Sequence, residues 1–423
     1  MSCVSAAHFL CLRIILLPKS EREKTMKKST VFSNGLIWFG AAISIAEILT
    51  GTFVADMGVR DGLLTIILGH LIGCALLFAA GFIGAKMKKS AMETTKLSFG
   101  KGGSYLFAIL NVFQLVGWTA IMINQGANAA NAIYAIGTPW WSVIIGVLIG
   151  IWILIGIKNL GIVNTVVMTA LFALTIMLSV SIFKNPVFGE NAGTMSFGSA
   201  LELSVAMPVS WLPVIADYTS GAEEKPTKTV LVSVITYFFA SCWMYAIGFF
   251  AAMFTGLYEI APIIQTIGIG LIGLIIVVAS TTTTTFLDAY SAGVSSVTLS
   301  KKLSAKWVGI ITCVMGILLS IFAESFLGNL EGFLYIIAGV FSPMIAIMIA
   351  DFFILKNDWS EKKVCVSNLV IWAMGFVAYH LCYRLDGGSE YNFPIPLGYT
   401  LPVVVGVIIV TVIVGKIKQK VLN

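Results

Sequence analysis

Long apolar segments recur along the whole chain, and short polar segments separate them. Each apolar segment has about 18 residues or more, which is the length that a helix needs to cross the hydrocarbon core of a bilayer. The predicted spans, numbered 1 to 12 in chain order, are 32–56, 62–85, 103–135, 140–157, 160–183, 199–218, 228–255, 262–298, 306–323, 331–355, 364–384 and 397–416. The pattern therefore predicts an all-α polytopic membrane protein with twelve transmembrane helices. Spans 3 and 8 are long for one straight crossing, so we expect them to tilt or to extend beyond the bilayer.

Spans 1 and 6 are the most interrupted. Span 1 carries Glu47 near its centre, between Ser44 and the polar triplet Thr50-Gly51-Thr52. A carboxylate at that depth costs about 2.5–3.5 kcal/mol, so it requires a partner or a water-filled cavity. Two interpretations are open: Glu47 has a functional role, or it is protonated and hydrogen-bonded to a neighbouring helix. Span 6 contains Pro208 and Pro213, and each proline deletes a helical hydrogen bond, which predicts a kink or an unwound turn.

Broken spans are the usual binding elements of secondary transporters. Spans 1 and 6 run in opposite directions and stand five spans apart, as an inverted five-plus-five repeat requires. We therefore expect a ten-helix transport core at 27–355. Two additional transmembrane helices and a cytoplasmic tail would follow at 356–423.

Composition and charge support a membrane protein. Hydrophobic residues make up 58% of the chain and charged residues only 11%. The net charge of +6 could suggest a nucleic-acid partner, but 23 of the 26 Lys and Arg residues fall in alternate polar segments. The other three are Arg60, Lys184 and Arg384. This positive-inside bias predicts that both termini are cytoplasmic, in the inner membrane, with no nucleic-acid partner.

The first 26 residues form an extension that carries a short apolar patch and then several charges. Because Met26-Lys27-Lys28 precedes span 1 directly, we expect translation to start at Met26. The seven cysteines show no paired spacing, and most lie in apolar spans, so no disulfide and no structural metal are predicted.

Span 8 contains six consecutive hydroxyl residues, Ser280 to Thr285. Hydroxyl and backbone oxygens suit a hard cation such as Na⁺. In the alternative interpretation, each hydroxyl bonds to the carbonyl four residues earlier and only softens the helix. Asp288 lies one turn beyond Thr284, and the hydroxyl-rich turn beside it favours a functional role.

Span 3 presents amides on the same face as a tryptophan. Gln114, Trp118 and Gln125 are close to one helix face, and Met122 lies one turn beyond Trp118. A tryptophan flanked by amides can stack on a flat heteroaromatic ring while the amides bond its edge. Ordinary hydrogen bonding between helices explains the same residues equally well.

The remaining carboxylates and histidines of the spans give no clear indication of a functional site. Glu202, Asp217 and Asp351 lie near span ends, where we expect water to reach them. His70 and His380 are isolated along the sequence, and packing or interfacial roles are expected for both.

From Lys27 onwards the chain resembles the nucleobase–cation symporter family, which includes cytosine, allantoin, uracil and hydantoin permeases. The marks are Val116-Gly117-Trp118 in span 3, Ala216-Asp217-Tyr218 at the end of span 6, and the stretch from Asp288 to Gly293 in span 8. Within the family the chain looks most like the CytX-like branch of hydroxymethylpyrimidine (thiamine-precursor) transporters. The resemblance implies a LeuT-type fold, with the substrate between spans 1, 3, 6 and 8 and with Na⁺ or H⁺ coupling.

The resemblance also implies roles for single residues. Trp118 matches the aromatic residue that stacks on the substrate, Glu47 stands at an amide or Gly-rich position, and the Asn that reads the base falls at Leu287 or Asp288. An aromatic position of span 6 falls near Pro208, with Trp211 three residues on. The sodium site that the family implies falls on the following residues: Ala42, Ile45, Val278, Thr281, Thr282 and Thr283.

The predicted function is secondary active import of a small planar aminopyrimidine, either hydroxymethylpyrimidine or a cytosine-like base. Trp118 would stack on the ring, and Glu47 and Asp288 would accept hydrogen bonds from its amino group. We expect no cofactor, a monomer and no enzymatic activity, because no HExxH or comparable catalytic pair lies in the spans. An amino-acid or amine permease of the same fold is the main alternative, and a channel is a further one.

Overall fold

The structure is a computed structural model, and it describes residues 31–155, 160–184, 195–222, 225–266, 270–300, 302–322, 329–386 and 393–422. The N-terminal extension predicted at 1–26 lies outside these residues. The helices of the described part are α1 (Val31–Ala42), α2 (Ile45–Phe53), α3 (Gly58–Met87), α4 (Ala91–Thr94), α5 (Lys96–Ile133), α6 (Thr138–Ile155), α7 (Leu160–Lys184), α8 (Phe197–Ser210), α9 (Leu212–Thr219), α10 (Pro226–Thr255), α11 (Ile260–Thr266), α12 (Gly270–Leu299), α13 (Ala305–Phe322), α14 (Leu330–Ile349), α15 (Val366–Asp386) and α16 (Thr400–Leu422). A 3₁₀ turn at Val54–Met57 joins α2 to α3, and a π-helical turn at Ala350–Leu355 follows α14.

The helices have the length and the surface of a membrane protein. Among the described residues, eight candidate spans are long and apolar enough to cross a bilayer, and three shorter apolar helical segments accompany them. Large apolar side chains such as Phe113, Phe239 and Trp307 point outward and are more than 60% exposed. Because lipid tails solvate such side chains, an apolar outer surface is expected of transmembrane helices.

Span 1 is broken where its polar residues predict a functional element. Helix α1 ends at Ala42, and α2 begins at Ile45. Ser44 between them is extended (φ −134°, ψ 157°), and its hydroxyl accepts a hydrogen bond from the Glu47 backbone N–H. This serine is an N-cap, the arrangement that stabilises the start of a helix.

Span 6 is broken as its prolines predict. Helix α8 ends at Ser210, and α9 begins at Leu212 with Pro213 in its first turn. The Val214 N–H donates to the Trp211 carbonyl at 3.0 Å instead of bonding four residues back. The Ser210 carbonyl is therefore open to a partner outside its own helix.

Two glycines let α2 and α10 pack backbone to backbone. A Cβ at Gly248 would lie 1.8 Å from the Ile48 carbonyl oxygen, and a Cβ at Gly51 would lie 2.2 Å from the Tyr245 carbonyl oxygen. Only glycine fits at either position. This close contact fixes the side of α2 that carries Glu47 against α10.

Span 8 and the helix that contains span 3 are each interrupted once. Gly100 interrupts α5 with a φ of +74°, a backbone conformation that glycine adopts without strain. In span 8, the short helix α11 ends at Thr266, and α12 begins at Gly270. In span 8 the excess length is therefore taken up by a separate helical segment, whereas the predicted span 3 lies beyond Gly100 and is one continuous helix to Ile133.

The prediction that water reaches Glu202 and Asp351 is wrong, since their exposures are 0% and 1%. Glu202 accepts hydrogen bonds from the Tyr379 hydroxyl and from the backbone N–H groups of Tyr399 and Thr400, each at 2.8 Å. Asp351 accepts from the Asn368 side chain, also at 2.8 Å. The carboxylates are buried because α15 and α16 pack over them.

Candidate functional site

Two amides of α5 meet the broken span 6. The Gln114 Nε2 donates to the Ser210 carbonyl at 2.8 Å and to the Asn111 Oδ1 at 3.1 Å. The Asn111 Nδ2 donates in turn to the Ser295 hydroxyl of α12 at 2.9 Å. Helices α5, α8 and α12 thus converge on the carbonyl that the break leaves open.

Gln114 retains one unused polar atom at this point. Its Nε2 has only two hydrogens, and both are engaged. Its Oε1 is buried and has no hydrogen-bond partner among the described residues. A buried acceptor without a donor is costly, so such an atom favours a ligand that donates a hydrogen bond.

Aromatic side chains lie on α1, on α5 and in the break itself. Trp118 is buried one turn beyond Gln114 on α5, and the Phe333 ring meets it edge to face at 5.4 Å. Trp38 of α1 meets Trp211 in the break at 5.7 Å, also edge to face. The Trp38 Nε1 is a buried donor that has no partner in the described part of the chain.

The other predicted substrate residues lie on α5, α8 and α12. Met122 is buried on α5, and Asp288 of α12 is half-buried. Pro208 faces α3, because a Cβ at Gly73 would lie 2.5 Å from its ring. The Leu287 side chain lies outside the described residues.

Glu47 faces α10. The Tyr237 hydroxyl donates to its Oε1 at 2.8 Å, and the Ser241 hydroxyl lies 2.6 Å from its Oε2. Both partners belong to α10, and the carboxylate is only 1% exposed. The structure therefore bonds Gln114 to the residue that precedes Trp211, and Trp118 packs one turn beyond Gln114 against Phe333. Glu47 lies in a separate buried cluster on the α10 side of α2.

The predicted ion ligands divide between the break in span 1 and α12. Ala42 lies at the break, where its carbonyl accepts from the Ser44 N–H at 2.9 Å. Ile45 lines a small apolar cavity together with Val277 of α12. The Thr282 hydroxyl donates to the Val278 carbonyl at 2.8 Å, which is the back-bonding that the sequence left open as an alternative.

Thr281 of the hydroxyl run lies in the interior against α5. It is fully buried, and its methyl group faces α5 where a Cβ at Gly126 would lie 2.9 Å away. The Thr285 hydroxyl donates to the Thr281 carbonyl at 2.5 Å. The Thr283 side chain lies outside the described residues.

Comparison with known proteins gives the family. A family model described as permease for cytosine/purines, uracil, thiamine and allantoin matches residues 17–371. The chain belongs to this permease family. The cytosine permease of Escherichia coli (strain K12) is 22% identical to this permease over 378 residues, which cover 86% of this chain and 87% of the relative.

Solved structures agree with this membership at the level of the fold. The inward-facing conformation of Mhp1 matches with a TM-score of 0.77 at 17% identity, and the match covers 93% of this chain and 92% of Mhp1. A Na⁺-coupled sialic acid symporter matches with a TM-score of 0.67 at 16% identity, covering 98% and 96% of the two chains. The permease is therefore a multi-pass membrane transporter and not an enzyme.

Sequence reasoning missed four residues of these clusters. Trp38 is one tryptophan within an apolar span, and only its position one turn before the break could have drawn attention to it. Tyr237 and Ser241 are common residue types in span 7, and they stand 190 and 194 residues from Glu47. For His70 the sequence predicts a packing or interfacial role, whereas its Nε2 lies 2.7 Å from the Ser241 hydroxyl oxygen.

Proposed function

We propose that this permease imports a small planar aminopyrimidine together with a cation across the cytoplasmic membrane. The family includes permeases for cytosine, uracil and thiamine, and Mhp1 is described as a nucleobase–cation symporter, which supports a nucleobase-like substrate and cation coupling. Hydroxymethylpyrimidine and cytosine both combine a flat ring with an exocyclic amino group, so both fit the proposal.

The observation that carries this proposal is the unpaired Oε1 of Gln114. An exocyclic amino group would donate a hydrogen bond to it, and the flat ring would stack on Trp118 or Trp211. The Trp38 Nε1 could donate to a ring nitrogen or a carbonyl of the same ligand. Met122, Pro208, Leu287 and Asp288 remain proposed neighbours of the substrate.

Amino-group recognition is assigned to Gln114 in preference to Glu47. Both carboxylate oxygens of Glu47 already have partners on α10, whereas Gln114 has an acceptor without a donor. This choice departs from the expectation based on the sequence. It makes Gln114 the residue to test.

The proposed architecture has twelve spans, with an inverted five-plus-five core at 27–355 and two further helices in 356–423. The broken spans 1 and 6 support this arrangement. We also propose that the protein is a monomer with both termini in the cytoplasm, as the distribution of Lys and Arg predicts. If the cation is Na⁺, its oxygen ligands would come from Ala42, Ile45, Val278, Thr281, Thr282 and Thr283.

Substitution of Gln114 tests the function. Gln114→Met keeps the length of the side chain and removes the acceptor, so binding of cytosine or hydroxymethylpyrimidine should weaken by about tenfold, which corresponds to about 1–1.5 kcal/mol for one hydrogen bond. The same pyrimidine without its amino group should lose much less affinity. Asn128→Leu is a matched control, because Asn128 is an exposed amide of the same helix whose side chain bonds Asn124 and no other described residue.

The measurement is competition against uptake of the labelled pyrimidine. An equal loss for both ligands would contradict the role of Gln114. Competition by amino acids or amines in place of pyrimidines would contradict the substrate class and favour an amine permease of this fold.

A further inference from the structure

A chain of hydrogen bonds joins three helices in the buried interior. The Tyr237 hydroxyl donates to Glu47 Oε1, and Glu47 Oε2 lies 2.6 Å from the Ser241 hydroxyl oxygen. The Ser241 oxygen lies 2.7 Å from His70 Nε2, and His70 Nδ1 lies 2.8 Å from the Ile66 carbonyl. Glu47, Ser241 and His70, here called the Glu–Ser–His chain, are all at most 1% exposed.

The geometry fixes the number of hydrogens in this chain. The Ile66 carbonyl can only accept, so His70 Nδ1 must carry a hydrogen. The two contacts between Glu47 Oε2, the Ser241 oxygen and His70 Nε2 need two hydrogens, and serine supplies only one. The second hydrogen must therefore sit on Glu47 or on His70.

Both positions of that hydrogen give the same net charge. On Glu47 it makes a carboxylic acid beside a neutral imidazole, and on His70 it makes a carboxylate beside an imidazolium. Without it, two lone pairs would face each other at 2.6–2.7 Å, and the chain would carry an uncompensated negative charge. Such a charge is strongly disfavoured in a buried site, so the chain holds one exchangeable proton.

The side chains around Glu47 carry no charge that could replace the proton of the Glu–Ser–His chain. Four thiol or phenol side chains lie close to Glu47: Cys74 of α3, and Tyr237, Cys242 and Tyr245 of α10. Thiols and phenols are neutral at pH 7, so they supply no charge.

Two further carboxylates belong to helices that pack against α2. Glu202 of α8 is turned towards α15 and α16, where it is bonded. Asp288 of α12 lies eleven residues beyond Val277, which faces α2 across the small cavity, and this corresponds to about 16 Å along the helix. Neither residue forms a hydrogen bond with a member of the Glu–Ser–His chain.

We propose that the Glu–Ser–His chain is the binding site of the coupling cation and that this cation is a proton. The proposal rests on the proposed function as a cation-coupled importer, and it chooses between Na⁺ and H⁺, the two coupling ions that the resemblance implies. The site is closed in this structure. Because Glu47 lies in the first turn of α2, a movement at the span 1 break would open it.

A continuous set of contacts connects the proton to the candidate substrate site. Tyr237, which donates to Glu47, meets Trp38 edge to face at 5.8 Å. Trp38 meets Trp211, and Gln114 bonds the carbonyl of Ser210, the residue before Trp211. A change at Glu47 can therefore reach the span 6 break through side chains that are in direct contact.

Transport by the purified protein in proteoliposomes tests the coupling. We expect an inward proton gradient to drive accumulation of labelled hydroxymethylpyrimidine or cytosine in Na⁺-free buffer. Glu47→Gln and His70→Gln should each reduce this accumulation at least tenfold while exchange of internal for external substrate persists.

The controls keep similar contacts outside the Glu–Ser–His chain. Glu331→Gln changes another carboxylate that accepts from a tyrosine hydroxyl, at 2.9 Å from Tyr335, and His380→Gln changes a partly buried histidine. Both should accumulate substrate as the unchanged protein does. Accumulation that requires Na⁺ and is retained in Glu47→Gln and His70→Gln would overturn the proposal.

A spectroscopic measurement judges the site even if neither pyrimidine is transported, a result that would refute the proposed function alone. The chain has three histidines, so ¹⁵N-histidine NMR of the His8→Gln, His380→Gln background isolates His70. Infrared spectra before and after Glu47→Gln report a protonated carboxyl group at Glu47. At neutral pH we expect either an imidazolium at His70 or a carboxylic acid at Glu47. A neutral His70 beside an ionised Glu47 would overturn the proton site.

Discussion

At the scale of single residues, the hydrogen bonds of buried polar atoms distinguish the candidate substrate residue from the candidate proton site. Gln114 and Glu47 are both buried polar residues of apolar spans, and the sequence identifies both as candidates. They differ in how many of their side-chain polar atoms are hydrogen-bonded within the protein. Each carboxylate oxygen of Glu47 has a hydrogen-bond partner, whereas the Gln114 Oε1 has none among the described residues. The sequence could not predict this, because the partners of Glu47 stand about 190 residues away.

Trp118 provides a test of ring stacking. If Trp118 stacks on the substrate, Trp118→Ala should weaken pyrimidine binding by about 1–3 kcal/mol, the usual size of base–aromatic stacking. Trp118→Phe should retain most of the affinity, because a phenyl ring also offers a flat face. Competition binding gives both values. An equal loss in the two variants would indicate that Trp118 only packs against Phe333.

Thr282 separates a proton-coupled from a sodium-coupled mechanism. Its hydroxyl bonds the Val278 carbonyl within α12, so Thr282→Val should change uptake and its Na⁺ dependence by less than about twofold. Uptake is measured across a series of Na⁺ concentrations, with the unchanged protein as reference. A marked rise in the Na⁺ concentration needed by the variant would instead identify Thr282 as a sodium ligand.

At the scale of helices, the two breaks follow from local chemistry, so the sequence predicts them. Pro213 cannot donate a backbone hydrogen bond, and Ser44 caps the helix that restarts after it. Their positions agree with the structure within a turn. The sequence does not predict how α2 is held, because that depends on Gly51 and Gly248 meeting across two distant segments.

Gly248→Ala tests this close packing of α2 and α10. The added Cβ would lie 1.8 Å from the Ile48 carbonyl oxygen, so the helices must separate, with a loss of stability of about 1–3 kcal/mol. Thermal unfolding in detergent should therefore shift clearly downward. Gly40→Ala is the matched control, since a Cβ there has no neighbour within 4 Å. Equal melting temperatures for both variants would contradict the packing.

At the scale of the whole molecule, the last two helices are joined to the core through buried polar groups. Asp386 of α15 accepts from the Ser196 hydroxyl at 2.6 Å and from the Tyr399 hydroxyl at 3.0 Å. Glu202 of α8 accepts from the backbone at the start of α16. The sequence predicts the two extra spans but treats Glu202 as accessible to water, because a single segment does not reveal which later helices cover it.

Glu202→Ala tests whether this contact holds α16 on the core. The substitution would leave the N–H groups of Tyr399 and Thr400 and the Tyr379 hydroxyl without their acceptor inside the protein. Each buried donor left unsatisfied costs about 1–3 kcal/mol, so the variant should lose at least about 3 kcal/mol of stability and should melt well below the unchanged protein.

The control variant is Glu93→Ala, which removes a surface carboxylate that pairs with Lys96 at 3.5 Å. An exposed pair of this kind contributes about 0.3–0.5 kcal/mol, so the melting temperature of this variant should barely change. Fluorescence-detected size-exclusion after a series of heating steps measures both variants. If Glu202→Ala melts like Glu93→Ala, the contact with α16 does not hold the last helix on the core.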